Sequence, residues 1–391
     1  MPGTVKTDGI SFTLTPEQRE LRDLAHEFAA NELRPVAGEW DEKDDFPPDL
    51  LKKAGRLGLT SYRVPHEYGG ADVDAVTGAL VAEELSWGCA GLAATINATL
   101  FPVRPITRFG TEEQRQRYLP WLASEEGCLA AIAFTEPHAG SDVNAMRTSA
   151  RREGDAWVLN GEKCYVTNGG IADVTLVFAR SEAGISVFVL ERGDPGVGAG
   201  RKERKLGLRS SYTGSIVLED ARVPADRLLG EEGEGFAVAM DFFEHSRPQV
   251  AAGAVGVARA AFEYAADYAR EREAFGKPIL ARQGISFKLA DMAMEIEASR
   301  LLTWRACAAL DAGEDAGLLG SYAKAFAADT AMRVTTDAVQ VLGGAGIMAD
   351  HPVEKWLRDA KVFQIVEGTS EVQRHIVTQY LRAGVTERPR A

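Results

Sequence analysis

The period of the hydrophobic pattern changes twice along this 391-residue chain, and those two changes limit its fold more than any other feature. The first third is helical in period. Thr15-Pro16-Glu17-Gln18 forms a helix start, with Thr15 as cap, Pro16 at the first helical position and Gln18 placed for a capping box. Leu21, Leu24, Ala25 and Phe28 then share one face. A short lead, expected to be disordered, precedes this start. Pro47-Pro48 opens a second helix that ends near Gly55 to Gly58, and Tyr68-Gly-Gly-Ala is a turn. Further helices are expected over Val73 to Trp87, over Gly91 to Phe109 with breaks at Pro102 and Pro105, and over Thr111 to Ala123. From Cys128 apolar residues alternate or come in short blocks between Gly and Asp. The pattern predicts strands at Leu129 to Phe134, Ala156 to Leu159, Val174 to Ala179, Ile185 to Leu190 and Ser215 to Leu218. Beyond Gly235 long helices return, over Phe236 to Glu273 with a kink at Pro248, Ile285 to Ala312 and Leu318 to Leu342. Shorter ones follow over Pro352 to Phe363 and Ser370 to Arg382. The expectation is an α+β multidomain protein: an N-terminal α-helical domain (1–126), a middle β-barrel or sandwich domain (127–234) and a C-terminal four-helix-bundle-like domain (235–391).

Composition removes several classes of function. Hydrophobic residues make up 45%, enough for a large buried core, and the formal net charge is -13, which argues against a general nucleic-acid surface. Any anionic ligand must therefore be met by a local basic cluster. Cys89, Cys128, Cys164 and Cys307 are far apart and form no Cys-x-x-Cys pair, so neither a structural metal site nor a disulfide framework is expected. No run of eighteen apolar residues occurs, and Met1-Pro-Gly-Thr-Val-Lys6 lacks a secretory core or an Arg-rich import stretch; a cytoplasmic, non-membrane protein is the expectation.

Chemistry is concentrated at turns. In Gln364-Ile-Val-Glu367-Gly-Thr-Ser370-Glu-Val-Gln-Arg374, Glu367 follows two β-branched residues and precedes the cap of the last helix. Two readings fit: a partly desolvated carboxylate whose raised proton affinity suits a general base, or a loop acid placed by the helix dipole before a Ser cap. Phe134-Thr-Glu-Pro-His-Ala-Gly-Ser141-Asp and Tyr165-Val-Thr167-Asn-Gly-Gly leave strands into loops whose small residues admit a flat ligand. Neither is a phosphate loop, and no βαβ unit is present for a dinucleotide fingerprint. Arg272-Glu-Ala-Phe275-Gly-Lys277 reads as a helix C-cap in which Arg272 suits a diphosphate. Gln340-Val-Leu-Gly343-Gly344-Ala-Gly346 holds more glycine than a cap requires.

These segments in this order resemble the acyl-CoA dehydrogenase family of FAD flavoproteins over nearly the whole chain, most closely its medium- and short-chain members. Arg247-Pro, Ala251-Ala-Gly-Ala-Val-Gly, Lys324-Ala-Phe-Ala and Arg358-Asp-Ala-Lys extend the resemblance through the bundle. It implies FAD between the β-domain and the bundle of a homotetramer. Phe134, Thr135, Ser141, Tyr165 and Thr167 would contact the flavin end, and Thr369 and Glu371 would lie beside it. Arg272, Phe275, Gln283, Gln340, Gly343 and Gly344 would meet the diphosphate and adenosine, several of them across a subunit interface. Glu367 would remove the α-proton of an acyl-CoA, giving a trans-2-enoyl thioester, with electrons passed to an electron-transfer flavoprotein. Arg247 would stand near the base, and Ser141, Glu244, Arg247 and Gly368 near the thioester. Ser246 before Arg247 excludes the alternative base position of the isovaleryl and long-chain branches. His138, Glu244, Ala93 and Asn97 depart from common family residues and leave acyl length, branching, and CoA versus carrier protein unspecified. Competing readings are an oxygen-using oxidase or monooxygenase of the same superfamily and a non-catalytic thioester-binding relative.

Overall fold

A computed structural model describes residues 13–384, so the expected disordered lead and the Met1–Lys6 stretch lie largely or wholly outside it. The helix α1 (Pro16–Phe28) begins with the capping box that the sequence spells out, Thr15 Oγ1 accepting from Gln18 N and Gln18 Oε1 accepting from Thr15 N. After it come α2 (Ala37–Lys43), α3 (Leu50–Arg56), α4 (Ala75–Ala98), α5 (Val103–Phe109) and α6 (Glu112–Leu122). The break expected between Trp87 and Gly91 is present: α4 runs from Ala75 to Ala98 but is interrupted at Cys89, whose φ of −162 and ψ of 112 are extended, and a second break separates it from α5. The departure lets α4 press against its neighbours: Cys89 Sγ lies 3.3 Å from Ser210 Oγ, and a Cβ at Gly91 would fall 2.2 Å from the same hydroxyl. Packed against α1 and against two long helices of the C-terminal part, α4 is buried on nearly every side.

The middle part is one mixed sheet of eight strands: β1 (Ala130–Ala133), β2 (Ser149–Glu153), β3 (Ala156–Thr167), β4 (Val174–Arg180), β5 (Ile185–Glu191), β6 (Val197–Lys202), β7 (Thr213–Pro224) and β8 (Leu228–Leu229). Their order is β6-β7-β3-β2-β4-β5-β8, with β1 parallel to β4. Between β2 and β4 only Ser149 and Arg180 pair, so the sheet divides there into two leaves. Trp157, Leu159, Ile216 and Val223 from one leaf and Val177, Phe188 and Leu190 from the other share a single core, with the Trp157 and Phe188 rings edge to face at 5.2 Å. The strands β2 and β6 escape the sequence pattern because Ser-Ala-Arg-Arg-Glu and Val-Gly-Ala-Gly-Arg-Lys are held by ladder bonds and carry little apolar surface.

The C-terminal part is built from α7 (Gly235–Glu271), α8 (Gln283–Asp311), α9 (Gly317–Leu342), α10 (Val353–Phe363) and α11 (Ser370–Arg382), and α7 continues through Pro248 as one helix. Arg272 caps the C-terminus of α7 as expected, but the residues after it form a hairpin in place of a glycine stop. β9 (Glu273–Ala274) pairs with β10 (Lys277–Pro278) around Phe275 and Gly276, both at positive φ (54° and 74°), as a tight two-residue turn of the primed type demands. No helix among the described residues is long and apolar enough to cross a membrane.

Candidate functional site

The segment between α10 and α11 sets the geometry. Residues 364 to 368 turn sharply, and Glu367 takes a left-handed backbone (φ 54), which costs a non-glycine residue roughly 1 kcal/mol. Bonds from three directions hold it there. Lys324 of α9, fully buried, donates from Nζ to Gly368 O at 2.6 Å, and Gln373 Nε2 of α11 donates to the carbonyls of Gly368 (3.0 Å) and Glu367 (3.2 Å). Asp329 of α9 accepts from Gln364 Nε2, Ser370 Oγ and Arg374 Nη2 at 2.7, 3.0 and 2.6 Å, closing both ends of the turn. The cap of α11 is Thr369, whose hydroxyl accepts from Val372 N at 3.2 Å; the expected Ser cap is therefore displaced by one residue.

So held, Glu367 is half-buried and lines a cavity of about 120 Å³ to which all three parts of the chain contribute. Its walls include Tyr62 and Arg63 ahead of α4, Asn97 on α4, Thr167 on β3, and Ser246 and Gln249 on α7. Burial raises the proton affinity of the carboxyl above the ordinary range. Three groups oppose this in part: the Ser246 hydroxyl, donating to Glu367 Oε2 at 2.9 Å, and the positive charges of Arg247 and Lys324. Burial acts on Lys324 in the opposite sense, pulling its ammonium down to about 8. Arg247 is 8% exposed, lies with its guanidinium 5.5 Å from the Phe243 ring, and leaves Nε without a partner. It forms no ion pair among the described residues, so its charge acts on Glu367 through space. The backbone N–H of Glu367 likewise has no acceptor among the described residues.

The other residues singled out by sequence fall into three groups. Thr167 shares the cavity with Glu367, and Gly368 and Thr369 adjoin it in the chain. Phe134, Thr135, Ser141 and Tyr165 lie on the neighbouring edge of the β part: Phe134 packs on Phe243 of α7 with ring centroids 5.5 Å apart, and Tyr165 is 66% exposed at a bulge of β3 with φ 58. Arg272, Phe275, Gln283, Gln340, Gly343, Gly344 and Glu371 are exposed on this chain and do not line the cavity. Phe275 is 96% exposed, the Arg272 guanidinium has no partner among the described residues, and a Cβ at Gly343 or Gly344 would meet nothing within 4 Å. An unpaired guanidinium, a bare aromatic ring and open glycines suit a dinucleotide's diphosphate and base. Gly346 differs, since its Cβ would fall 2.4 Å from Val339 O. Glu244 is also outside the cavity lining; its Oε1 accepts from Ala316 N at 2.6 Å, at the start of α9.

Two structural supports carry sequence signals that went unread. Glu136, inside the Thr-Glu-Pro loop, is buried against Lys163 of β3 at 2.7 Å and also accepts from Arg147 N and Thr148 N at 2.7 and 2.9 Å. This anchors the loop carrying Thr135 and Ser141. Lys324 is a lone cation within Ser-Tyr-Ala-Lys-Ala-Phe-Ala-Ala, and a single charge in so apolar a helix face marks a buried partner.

A three-part α, β, α chain with a carboxylate poised at an internal cavity defines a family when set beside known proteins. Models of the acyl-CoA dehydrogenase N-terminal, middle and C-terminal domains match residues 15–126, 131–221 and 233–381, and the chain belongs to the acyl-CoA dehydrogenase family of flavoenzymes. An acyl-CoA dehydrogenase of Bacillus subtilis (strain 168) is 45% identical over 377 residues, covering 95% of this chain and 99% of that one. Among solved structures, butyryl-CoA dehydrogenase from Megasphaera elsdenii superimposes with a TM-score of 0.93 at 41% identity, covering 95% of this chain and all of the other. A chain solved in work on the electron transferring flavoprotein of Acidaminococcus fermentans gives 0.92 at 41% identity, covering 95% of this chain and 99% of that one. PigA, solved with FAD, gives 0.91 at 30%, covering 97% and 100%.

Proposed function

We propose that this protein catalyses the α,β-dehydrogenation of an acyl-CoA to a trans-2-enoyl-CoA, with Glu367 as the base that takes the α-proton. The observation that carries this reading is the Glu367 carboxyl itself, strapped in a left-handed turn, raised in proton affinity by burial and open to an internal cavity. The free N–H of Glu367 is a donor for the thioester carbonyl, where negative charge develops as the α-proton leaves. Arg247 and Lys324 set the field around the carboxylate, Ser246 orients it, and Ser141, Glu244 and Gly368 serve the thioester portion. Bound FAD supplies the acceptor for the β-hydrogen, which leaves as hydride, and the electrons pass to an electron-transfer flavoprotein.

Phe134, Thr135, Ser141, Tyr165 and Thr167 hold the flavin end, with Thr369 and Glu371 beside it. Arg272, Phe275 and Gln283 of one subunit, with Gln340, Gly343 and Gly344 of another, hold the diphosphate and adenosine. This division accounts for their exposure on a single chain and calls for at least two subunits, and the assembly proposed is a homotetramer. We place the domain boundaries at 126/127 and 234/235 and the protein in the cytoplasm. In the test, purified holoprotein is yellow and is bleached anaerobically by a saturated acyl-CoA, while Glu367→Gln retains FAD and loses the bleaching. Wild type that binds flavin but is reduced by no acyl thioester would sink the reading.

A further inference from the structure

The cavity that Glu367 opens into also contains a cation with no counter-charge. Arg63 is half-buried in its wall, and its guanidinium makes no ion pair, hydrogen bond or ring contact with any described residue. Several other arginines of the interior are paired with carboxylates, Arg227 with Asp194, Arg259 with Glu83 and Glu84, and Arg300 with Glu83, whereas Arg63, like Arg247, is not. Asp311, the carboxylate that acts on Arg63, is already engaged, as are the two carboxylates that act on neighbouring Arg104. Asp311 accepts from the backbone N–H groups of Ala75 (2.6 Å) and Val76 (3.2 Å), both oxygens of Asp241 are taken by Arg104 at 2.9 Å, and Glu244 accepts from Ala316 N. Gln249 Oε1, buried without a donor in the same wall, offers only a neutral acceptor.

Arg63 stands apart from the chemistry. Arg63 and Glu367 both line the cavity, yet neither is among the groups that act on the other: Arg63 feels Tyr62, Cys307, Arg104 and Asp311, and Glu367 feels Ser246, Arg247 and Lys324. A second donor is available beside Arg63: Tyr62 Oη donates to Asn97 Oδ1 at 3.3 Å, which leaves Asn97 Nδ2 without an acceptor among the described residues. A half-buried guanidinium in a cavity wall with no counter-charge is open to an anion, and a carboxylate is the group whose two oxygens match its fork.

From this geometry we infer that Arg63 and Asn97 form an anion subsite in the wall of the acyl cavity, apart from Glu367, and that the acyl group taken by this protein carries a terminal carboxylate. The inference rests on the dehydrogenase reading above and adds the substrate class to it. A cavity of about 120 Å³ suits a short chain. Its test compares pairs of thioesters equal in carbon number, pentanoyl-CoA against 4-carboxybutanoyl-CoA and hexanoyl-CoA against 5-carboxypentanoyl-CoA, by the rate of anaerobic flavin bleaching in the holoenzyme. Wild type is expected to favour the carboxylated member of at least one pair by tenfold or more in kcat/KM. Arg63→Met is expected to lose at least tenfold more on that member than on its uncarboxylated partner, so that the preference between them collapses. Arg63→Lys, which keeps the charge without the fork, falls between them and guards against a Met variant that fails to load FAD. Wild type favouring the uncarboxylated chains, or Arg63 variants that slow both members equally, overturns the subsite while leaving the dehydrogenase reading intact. Failure of every thioester to bleach the flavin overturns both.

Discussion

Removing one oxygen atom from Ser246 tests how the proposed base is tuned. Ser246 is 4% exposed, and its hydroxyl donates to Glu367 Oε2 at 2.9 Å, a bond to the ionised form of the carboxyl. Hydrogen bonds to charged groups contribute about 1.5–3 kcal/mol, and each ~1.4 kcal/mol is a factor of ten in a protonation equilibrium. Ser246→Ala therefore shifts the balance towards protonated Glu367 by roughly 10- to 100-fold at a given pH on the acid side. The sign follows from the site: burial already holds the carboxyl above its ordinary range, and loss of a bond to the anion moves it further up. A base must be ionised to act, so the acid limb of kcat/KM for flavin bleaching moves to higher pH, while the plateau above it stays level or rises slightly. Anaerobic stopped-flow bleaching by one saturated acyl-CoA from about pH 5 to 9 reads the limb directly, and Ser246→Thr, which keeps the hydroxyl, should leave it near its wild-type position. If the limb of Ser246→Ala coincides with that of wild type, Glu367 is not the titrating base or the Ser246 bond does not bear on it.

Lys324→Met removes the bond to Gly368 O, again about 1.5–3 kcal/mol, and should slow bleaching tenfold or more at unchanged FAD content while moving the acid limb in the same direction as Ser246→Ala. Because burial holds the Lys324 ammonium down at about 8, below its ordinary value of 10.5, the unfolded chain binds more protons between those values. Wild-type stability should therefore gain from this group as pH rises from about 8 to 10.5, and denaturant midpoints of Lys324→Met should lack that gain. Glu136→Gln leaves Lys163 as a buried, uncompensated cation and is expected to cost about 3–5 kcal/mol in reversible unfolding. Hydrogen bonds from Lys163 and the loop backbone hold Glu136 down at about 2 against burial, so its contribution is fully present above pH 4.5 and disappears as pH falls towards 2; the variant should lose less stability across that window.

The parts of the fold legible in the chain are those whose causes are local. Thr15 and Gln18 cap α1 with atoms three residues apart, and the long helices of the bundle follow from unbroken helical spacing. What escaped is set by distant groups. The strands β2 and β6 carry little apolar surface and are held by ladder bonds to neighbours far along the chain, and the Cys89 break between Trp87 and Gly91 was legible while its contact with Ser210 was not. Phe275 and Gly276 read equally well as a helix stop and as a hairpin turn, because both require positive φ near a glycine.

Glu367 shows the same limit at the site. Its sequence neighbours alone favoured a dipole-placed loop acid over a base, and the features that separate the two readings come from elsewhere: Ser246 and Arg247 on α7, Lys324 and Asp329 on α9, Gln373 on α11. Four of these five are polar side chains that bond within the Glu367 turn or its flanks, and the turn keeps an unfavourable backbone only while they do. Strain at Glu367 is thus a joint property of α7, α9 and α11. A change that loosens any one helix should therefore appear first as misplacement of the carboxyl, with loss of bleaching at retained flavin, before it appears as loss of the fold.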